Sequence, residues 1–377
     1  MPRPMLRIGA LPPLQISPGT LVTVLLIAAV LFPSLQLPGT SLVASAAWAL
    51  GLGLFLILSV LVHELCHALV ARAFGARIDH IALTLWGGHT QYRAERMPAL
   101  GSVLVSLAGP ASNAALAGLT AALELSSSSD GPLAMVLQVA TRLNLVLAVF
   151  NLLPGLPMDG GRALESLLGA VLRRPVLATQ VTAWIGRLIA IGCVALPLWW
   201  IVRDGGAGTV GLLLLVWGML IAGLLWQGAG RALDGARTQT RIETLDLAAV
   251  LRPVRLLSPQ VPLPALDADD GDEPDAKHVQ VLLLDRADPR PGTVGRALLP
   301  EPEAVAAVPA DRRADVPASA VARPLGDVAA LRTGLAGEDL ISAMLSRPAP
   351  VYLVVGADGT PAGVILSADV NALLRGR

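Results

Sequence analysis

The chain of 377 residues reads as an α-helical polytopic membrane protein, with about six transmembrane helices and a membrane-associated β-hairpin, followed by a cytosolic α/β module. Three observations carry that expectation. Hydrophobic residues make up 54% of the chain and charged ones 15%, where a soluble domain holds about a quarter charged. The charge is unevenly placed, with long apolar runs from about residue 20 to 230 and most acidic side chains in 240–377. Six runs approach the roughly 20 apolar residues that cross a bilayer: about 20–38, 43–73, 100–124, 131–153, 180–202 and 208–228. The expected division is 1–242 in the membrane and 243–377 beyond it.

Taken in order, Arg3 and Arg7 precede the first run, which is as long as a full span and reads as a retained helix rather than a cleaved signal. The second run exceeds what the bilayer needs, so its end projects into the interface or tilts. Segment 76–93 alternates in part and breaks at Gly87-Gly88, which predicts a short hairpin at the membrane face. Such backbone is tolerated at membrane depth only under cover of protein or a water-filled cavity. Arg72, Arg77, Arg93 and Arg96 lie between runs two and three, Arg162, Arg173 and Arg174 between four and five, and Arg231, Arg237 and Arg241 after run six. Positive charge favours cytoplasmic loops, so both termini and the C-terminal part are expected in the cytoplasm of a cell-membrane protein. A net charge of zero leaves no basic face for nucleic acid. Cys66 and Cys193 sit in separate apolar runs and form no disulfide framework.

Within run two stands His63-Glu64-Leu65-Cys66-His67. Residues four apart on a helix share a face, so both imidazoles reach one zinc ion, and the intervening glutamate is placed to take a proton from water there. In a soluble helix the pattern would mean little. In an apolar helix an ionisable group costs about 2.5–3.5 kcal/mol on insertion scales, and such groups normally mark function. A catalytic zinc needs a third protein ligand. The candidate is Asp159, after the helix-breaking Pro154-Gly155-Leu156-Pro157, although alone it would equally suit a surface turn.

Together these residues resemble the site-2 protease family of intramembrane zinc metalloproteases. The family pairs an HExxH helix with a later Asn-x-x-Pro-x-x-Pro-x-Asp-Gly segment, here Asn151 to Gly160, and with a Gly-Pro-x-x-Asn stretch, here Gly109 to Asn113. The resemblance covers about residues 20 to 230. It implies one zinc per chain held by His63, His67 and Asp159, with Glu64 as general base. It further implies that Asn113, Asn151 and the Gly87-Gly88-His89 turn meet the substrate, with the hairpin pairing to an unwound substrate strand by edge addition. The expected substrate is a transmembrane protein, such as an anti-sigma factor or similar regulator.

Residues 243–377 contain an imperfect repeat. Val279 to Asp285 resembles Val351 to Asp358, each followed by a turn and a second strand, at 292–295 and 363–366, with a helix after the second copy at 368–374. The arrangement resembles a tandem pair of cystathionine-β-synthase (CBS) domains. Members that bind adenine nucleotides carry Gly-x-x-Ser/Thr-x-x-Asp; here Gly363 and Asp369 fit, while Leu366 takes the hydroxyl position. The module is therefore either a nucleotide sensor or a ligand-free unit pairing two chains into a homodimer. The acidic stretch 264–276 is expected to be a flexible insertion. Competing readings are a CBS-gated membrane transporter and a catalytically inactive scaffold; the metal-ligand spacing opposes the first and the intact Glu64 the second.

Overall fold

Among the described residues, six helices long and apolar enough to cross a membrane begin at Pro18, Leu42, Ala99, Pro132, Pro175 and Thr209, each close to its sequence-predicted start. The computed structural model describes residues 12–36, 39–84, 87–94, 97–126, 131–204, 208–267, 280–286 and 293–375. By internal contacts the chain divides into two compact units, Met1–Ala236 and Arg237–Arg377.

In the first unit, β1 (Leu14–Ile16) leads into α1 (Pro18–Leu31), whose first-turn proline presets the helical φ where no N–H is needed. A short 3₁₀ turn, Phe32–Leu35, completes this span. α2 (Leu42–Ala73) starts under Ser41, whose hydroxyl accepts from Ala44 N–H at 3.2 Å. β2 (Arg77–Thr84) and β3 (Gly87–Arg93) form the expected antiparallel hairpin. The sequence reading missed β1, which adds to β2 in parallel, and the sheet order is β1-β2-β3. Then come α3 (Ala99–Ser126), α4 (Pro132–Asn151), α5 (Asp159–Leu172), α6 (Pro175–Asp204) and α7 (Thr209–Glu243).

These helices invert the pattern of a soluble bundle. On α2, Leu54, Leu58, Val62 and Leu69 point outward, while Ser45, Ser59, His63, Glu64 and His67 are buried. Ser106, Asn113, Thr120, Asn144 and Thr182 are likewise buried on α3, α4 and α6. An apolar exterior around a polar interior is stable only with hydrocarbon outside, so the protein is a multi-pass membrane protein.

The second unit holds α8 (Leu247–Val250), β4 (Val254–Leu257), β5 (Gln280–Asp285), β6 (Gly295–Pro300), α9 (Pro302–Ala306), β7 (Ala322–Arg332), α10 (Gly337–Ser346), β8 (Val351–Val355), β9 (Pro361–Leu366) and α11 (Ser367–Arg375). Its six strands lie in sequence order in one sheet. Each half repeats one device, a parallel pair followed by an antiparallel strand: β4-β5-β6, then β7-β8-β9, with β6 antiparallel to β7. β8 is buried on both faces: Tyr352 and Val354 join one core, Val351 and Leu353 the other. The second strand of the first copy needs correction. It runs 295–300 rather than 292–295, because Gly295 opens it at φ 145°, where its backbone abuts the Asp285 carbonyl. The proposed insertion at 264–276 lies outside the described residues from 268 onward.

Tyr352 ties the module together. Its buried hydroxyl lies 2.9 Å from the Met344 carbonyl and 3.1 Å from that of Arg347, and accepts from Ala349 N–H at 3.0 Å. Tyr352→Phe strands that N–H, so the module is expected to lose about 1–3 kcal/mol. Faster hydrogen exchange across 344–353 in the full chain checks this.

Candidate metal centre

α2 places His63 and His67 one turn apart, and α5 begins on the third member, Asp159. The two Nε2 atoms stand 3.0 Å apart, and Asp159 Oδ2 lies 3.1 Å from the first and 3.3 Å from the second. Zinc bonds of about 2.0–2.1 Å in a tetrahedron separate donors by about 3.3 Å, so the residues fit the ion. The rest of each imidazole supports that fit. His63 Nδ1–H donates to Asn113 Oδ1 at 2.5 Å, and His67 Nδ1–H donates to the Val105 carbonyl at 2.6 Å. With both Nδ1 atoms protonated, both Nε2 lone pairs face Asp159, and three converging lone pairs repel unless a cation sits among them.

Asn113 is 1% exposed, and its Nδ2 donates to Asn144 Oδ1 at 3.0 Å; Asn144 in turn donates to the Ala140 carbonyl at 3.0 Å. The structure thus puts Asn113 behind His63 with its amide engaged at both ends, rather than on an open substrate face. The companion Gly109 has a packing reason: a Cβ there would overlap the Nε2 atoms of both histidines. Asn144 was not singled out from the sequence, since a lone asparagine in an apolar run carries no pattern.

Glu64 is 7% exposed and lies against the hairpin. Thr90 Oγ1 sits 2.8 Å from Glu64 Oε2 and 2.9 Å from the Glu64 carbonyl, its one proton serving either. A Cβ at Gly88 would come within 2.5 Å of Glu64 Cγ, so only glycine lets β3 approach so closely. Gly87 takes φ 118° and its carbonyl accepts from Thr84 at 3.0 Å. At the far end of the hairpin Arg93 grips Asp79 at 2.7 Å, and that hydrogen bond holds the Asp79 carboxyl below its usual range. His89 is exposed on β3, its ring 6.2 Å from that of His80. Asn151 is half-buried at the end of α4, with no hydrogen-bond partner among the described residues.

The turn carrying Asp159 is built from close backbone approaches. A Cβ on Gly160 would strike the Leu152 carbonyl, one on Gly161 would strike Gly155, and one on Gly186 of α6 the Leu156 carbonyl. Leu156 N–H donates to the Thr182 carbonyl at 3.0 Å, fixing the turn to α6. The prolines do break the helix, and the chain re-enters one at once as α5.

In the C-terminal unit Asp369 and Gly363 do come together, but with the chain itself. Arg252 Nη2 donates to Asp369 Oδ1 at 2.8 Å, leaving Oδ2 buried without a partner. A Cβ on Gly363 would meet the Arg252 carbonyl at 2.6 Å and Leu251 Cδ1 at 2.8 Å.

Family models described as Peptidase M50B-like and Peptidase family M50 match residues 21–157 and 121–194. The chain is 30% identical to "Putative zinc metalloprotease Rip3" of Mycobacterium tuberculosis, over 90% of this chain and 85% of that one. Among solved structures it is similar to the site-2 protease from Methanocaldococcus jannaschii, with TM-score 0.42 and 23% identity over 61% of this chain and 94% of that one. It is also similar to the CBS domain of a bacterial CNNM/CorC family Mg2+ transporter, with TM-score 0.24 and 14% identity over 38% of this chain and 85% of that one.

Removing the acceptor behind His63 tests the orienting role of Asn113. Asn113→Ala is expected to weaken zinc binding about 10- to 100-fold, read by competition with a chelator. Undiminished affinity would return Asn113 to the substrate side.

Proposed function

The chain belongs to peptidase family M50, the site-2 proteases, and is an intramembrane zinc metalloprotease; from that premise we propose how its own residues carry the reaction. His63 Nε2, His67 Nε2 and Asp159 Oδ2 hold the zinc, and Glu64 is the general base. The observation that carries this reading is the convergence of three ligand atoms within 4.8 Å of one another, beside a buried glutamate next in sequence to one of them. Zinc bound there supplies Lewis acidity and lowers the pKa of water toward about 7. Glu64 accepts the proton of the attacking water and delivers it to the leaving amine. Thr90 steadies Glu64 by donating to Oε2. Asn113 and the Val105 carbonyl keep both imidazoles in the Nε2-ligating tautomer.

Peptide groups inside a transmembrane helix are shielded by their own hydrogen bonds, so a substrate segment must unwind before cleavage. We assign its reception to the outer edge of β3, the last strand of its sheet, where Gly87 and Gly88 admit backbone and His89 offers a side-chain contact. Asn151 contributes its unpaired amide to substrate or to the developing oxyanion. The substrate class is a membrane protein with a transmembrane segment, such as a membrane-bound regulator of anti-sigma type. The arginine-rich loops favour a cytoplasmic position for both termini. Residues 1–242 form the protease and 243–377 a CBS-like pair that joins two chains. The repeated strand device supports the CBS-like reading, and the Arg252–Asp369 bond weighs against adenine-nucleotide binding, because one oxygen of the carboxylate that would meet ribose already has a partner.

The test compares wild type with Glu64→Gln on a labelled transmembrane peptide, with zinc measured in both. Glutamate is not a ligand, so zinc should stay near one per chain while turnover falls at least about 10²-fold. Cleavage undiminished in the variant would remove Glu64 as base. Asp159→Ala leaves two ligands, and zinc content well below about one per chain is expected after dialysis against chelator. Full retention would point to another third ligand.

A further inference from the structure

Within the first unit α6 and α7 run antiparallel: Ala183 packs with Ala229, Ala190 with Leu225, and Gly218 closes on the Cys193 carbonyl. Between these contacts stands Arg187, a cation inside an apolar span. Its guanidinium carbon lies 4.8 Å from the Trp184 ring centre and 4.7 Å from that of Trp226. Stacking occupies the π system of a guanidinium, whereas its five N–H bonds point outward in the plane. Among the described residues none of those N–H groups has an acceptor, and Nε is buried unpartnered. No carboxylate among the described residues pairs with Arg187, so the charge is unneutralised by the protein.

The depth of Arg187 follows from helix arithmetic. From Arg187 to Arg203 is about 24 Å along α6, and the residues between carry no charge; the hydrocarbon layer is about 30 Å thick. Arg203 at the far end also stacks on a tryptophan, Trp199, at 4.9 Å. Tryptophans gather at the two bilayer interfaces, so the two arginine–tryptophan pairs mark opposite headgroup levels. Trp184 and Trp226 are 55% and 46% exposed, on the surface turned to lipid. Gly230 neighbours Arg187 Nη2, Arg231 follows it, and Arg173-Arg174 precede α6, which adds positive charge on this side.

We propose that Arg187, framed by Trp184 and Trp226, binds the phosphodiester of an anionic phospholipid on the lipid-facing side of α6 and α7. An in-plane pair of N–H groups matches two phosphate oxygens, and the surrounding arginines select a headgroup of net negative charge over a zwitterionic one. The same helices cradle the turn before Asp159, since Gly186 abuts the Leu156 carbonyl and Gly228 the Pro157 ring. A bound headgroup therefore steadies the frame that carries the third ligand. The proposal stands apart from the protease assignment, because its test reads binding.

The full chain in detergent is titrated with phosphatidylglycerol, phosphatidylcholine and inorganic phosphate under native mass spectrometry. Wild type is expected to bind phosphatidylglycerol about tenfold more tightly than phosphatidylcholine, as a charge-assisted hydrogen bond warrants, with inorganic phosphate a weak competitor. Arg187→Gln should remove that preference and leave phosphatidylcholine binding alone. Equal affinities in wild type, or an unchanged preference in the variant, overturns the proposal. Strong competition by inorganic phosphate overturns the lipid source in favour of the free anion. Should Arg187→Gln fail to fold, Trp226→Leu keeps the charge and removes one stacking ring; a weakened preference supports the site and an unchanged one overturns it.

Discussion

Everything in the membrane unit depends on holding the His63 and His67 imidazoles in fixed tautomers inside an apolar bundle. Both rings are buried, so each Nδ1–H must find a protein acceptor. His63 finds Asn113, which is itself held by Asn144, and His67 finds the Val105 carbonyl. These bonds link α2 to α3 and α3 to α4, so orienting the ligands and docking the helices are one act. The dense polar interior beneath an apolar exterior follows from it.

The second constraint is distance. Asp159 arrives from another segment and must place one oxygen within 3.3 Å of both Nε2 atoms. That demands backbone against backbone at Gly155, Gly160, Gly161 and Gly186, where a Cβ would collide with neighbouring main-chain atoms. Gly109 does the same for the imidazoles and Gly88 for Glu64. The glycines of these motifs thus mark packing clearances as much as turns. The Asp159 segment is a helix start cradled by α6 and α7, which is why helices far from the HExxH motif in sequence still bear on the metal centre.

The helix of the candidate metal centre stood out because two histidines and a glutamate in an apolar run violate the composition around them. The six spans were legible because lipid-facing helices need length and hydropathy and little else. Less of the rest could be read. β1 is three residues long, too short for any periodicity to register. α5 hides behind two prolines and three glycines, which read as a turn until the chain resumes its helix. Thr90 and Asn144 are single polar residues whose meaning exists only once tertiary structure sets them beside Glu64 and Asn113. Asn113 was found through its motif, but its bond to the Nδ1 side of His63 is visible only in the structure, since sequence spacing cannot tell the front of a histidine from its back. In the C-terminal unit the strands of β8 and β9 were found as continuous apolar runs, the mark of burial on both faces. β6 slipped because its opening glycine was taken for its end.

The hairpin joins these two lines of reasoning. β3 lies against Glu64 through Thr90 on one side, and among the described residues only β2 pairs with it. A strand in that position has one row of backbone groups unspent, which is costly in a low-dielectric setting and invites a further strand. Whatever pairs there sits in register with Gly88 and Thr90, and hence at a set distance from the carboxylate that β3 holds. The register of an added strand would then choose which peptide bond meets Glu64. With a substrate strand added there, selectivity for the cleaved bond would follow backbone register along β3, and the side chains of the substrate would matter mainly through how readily its helix unwinds.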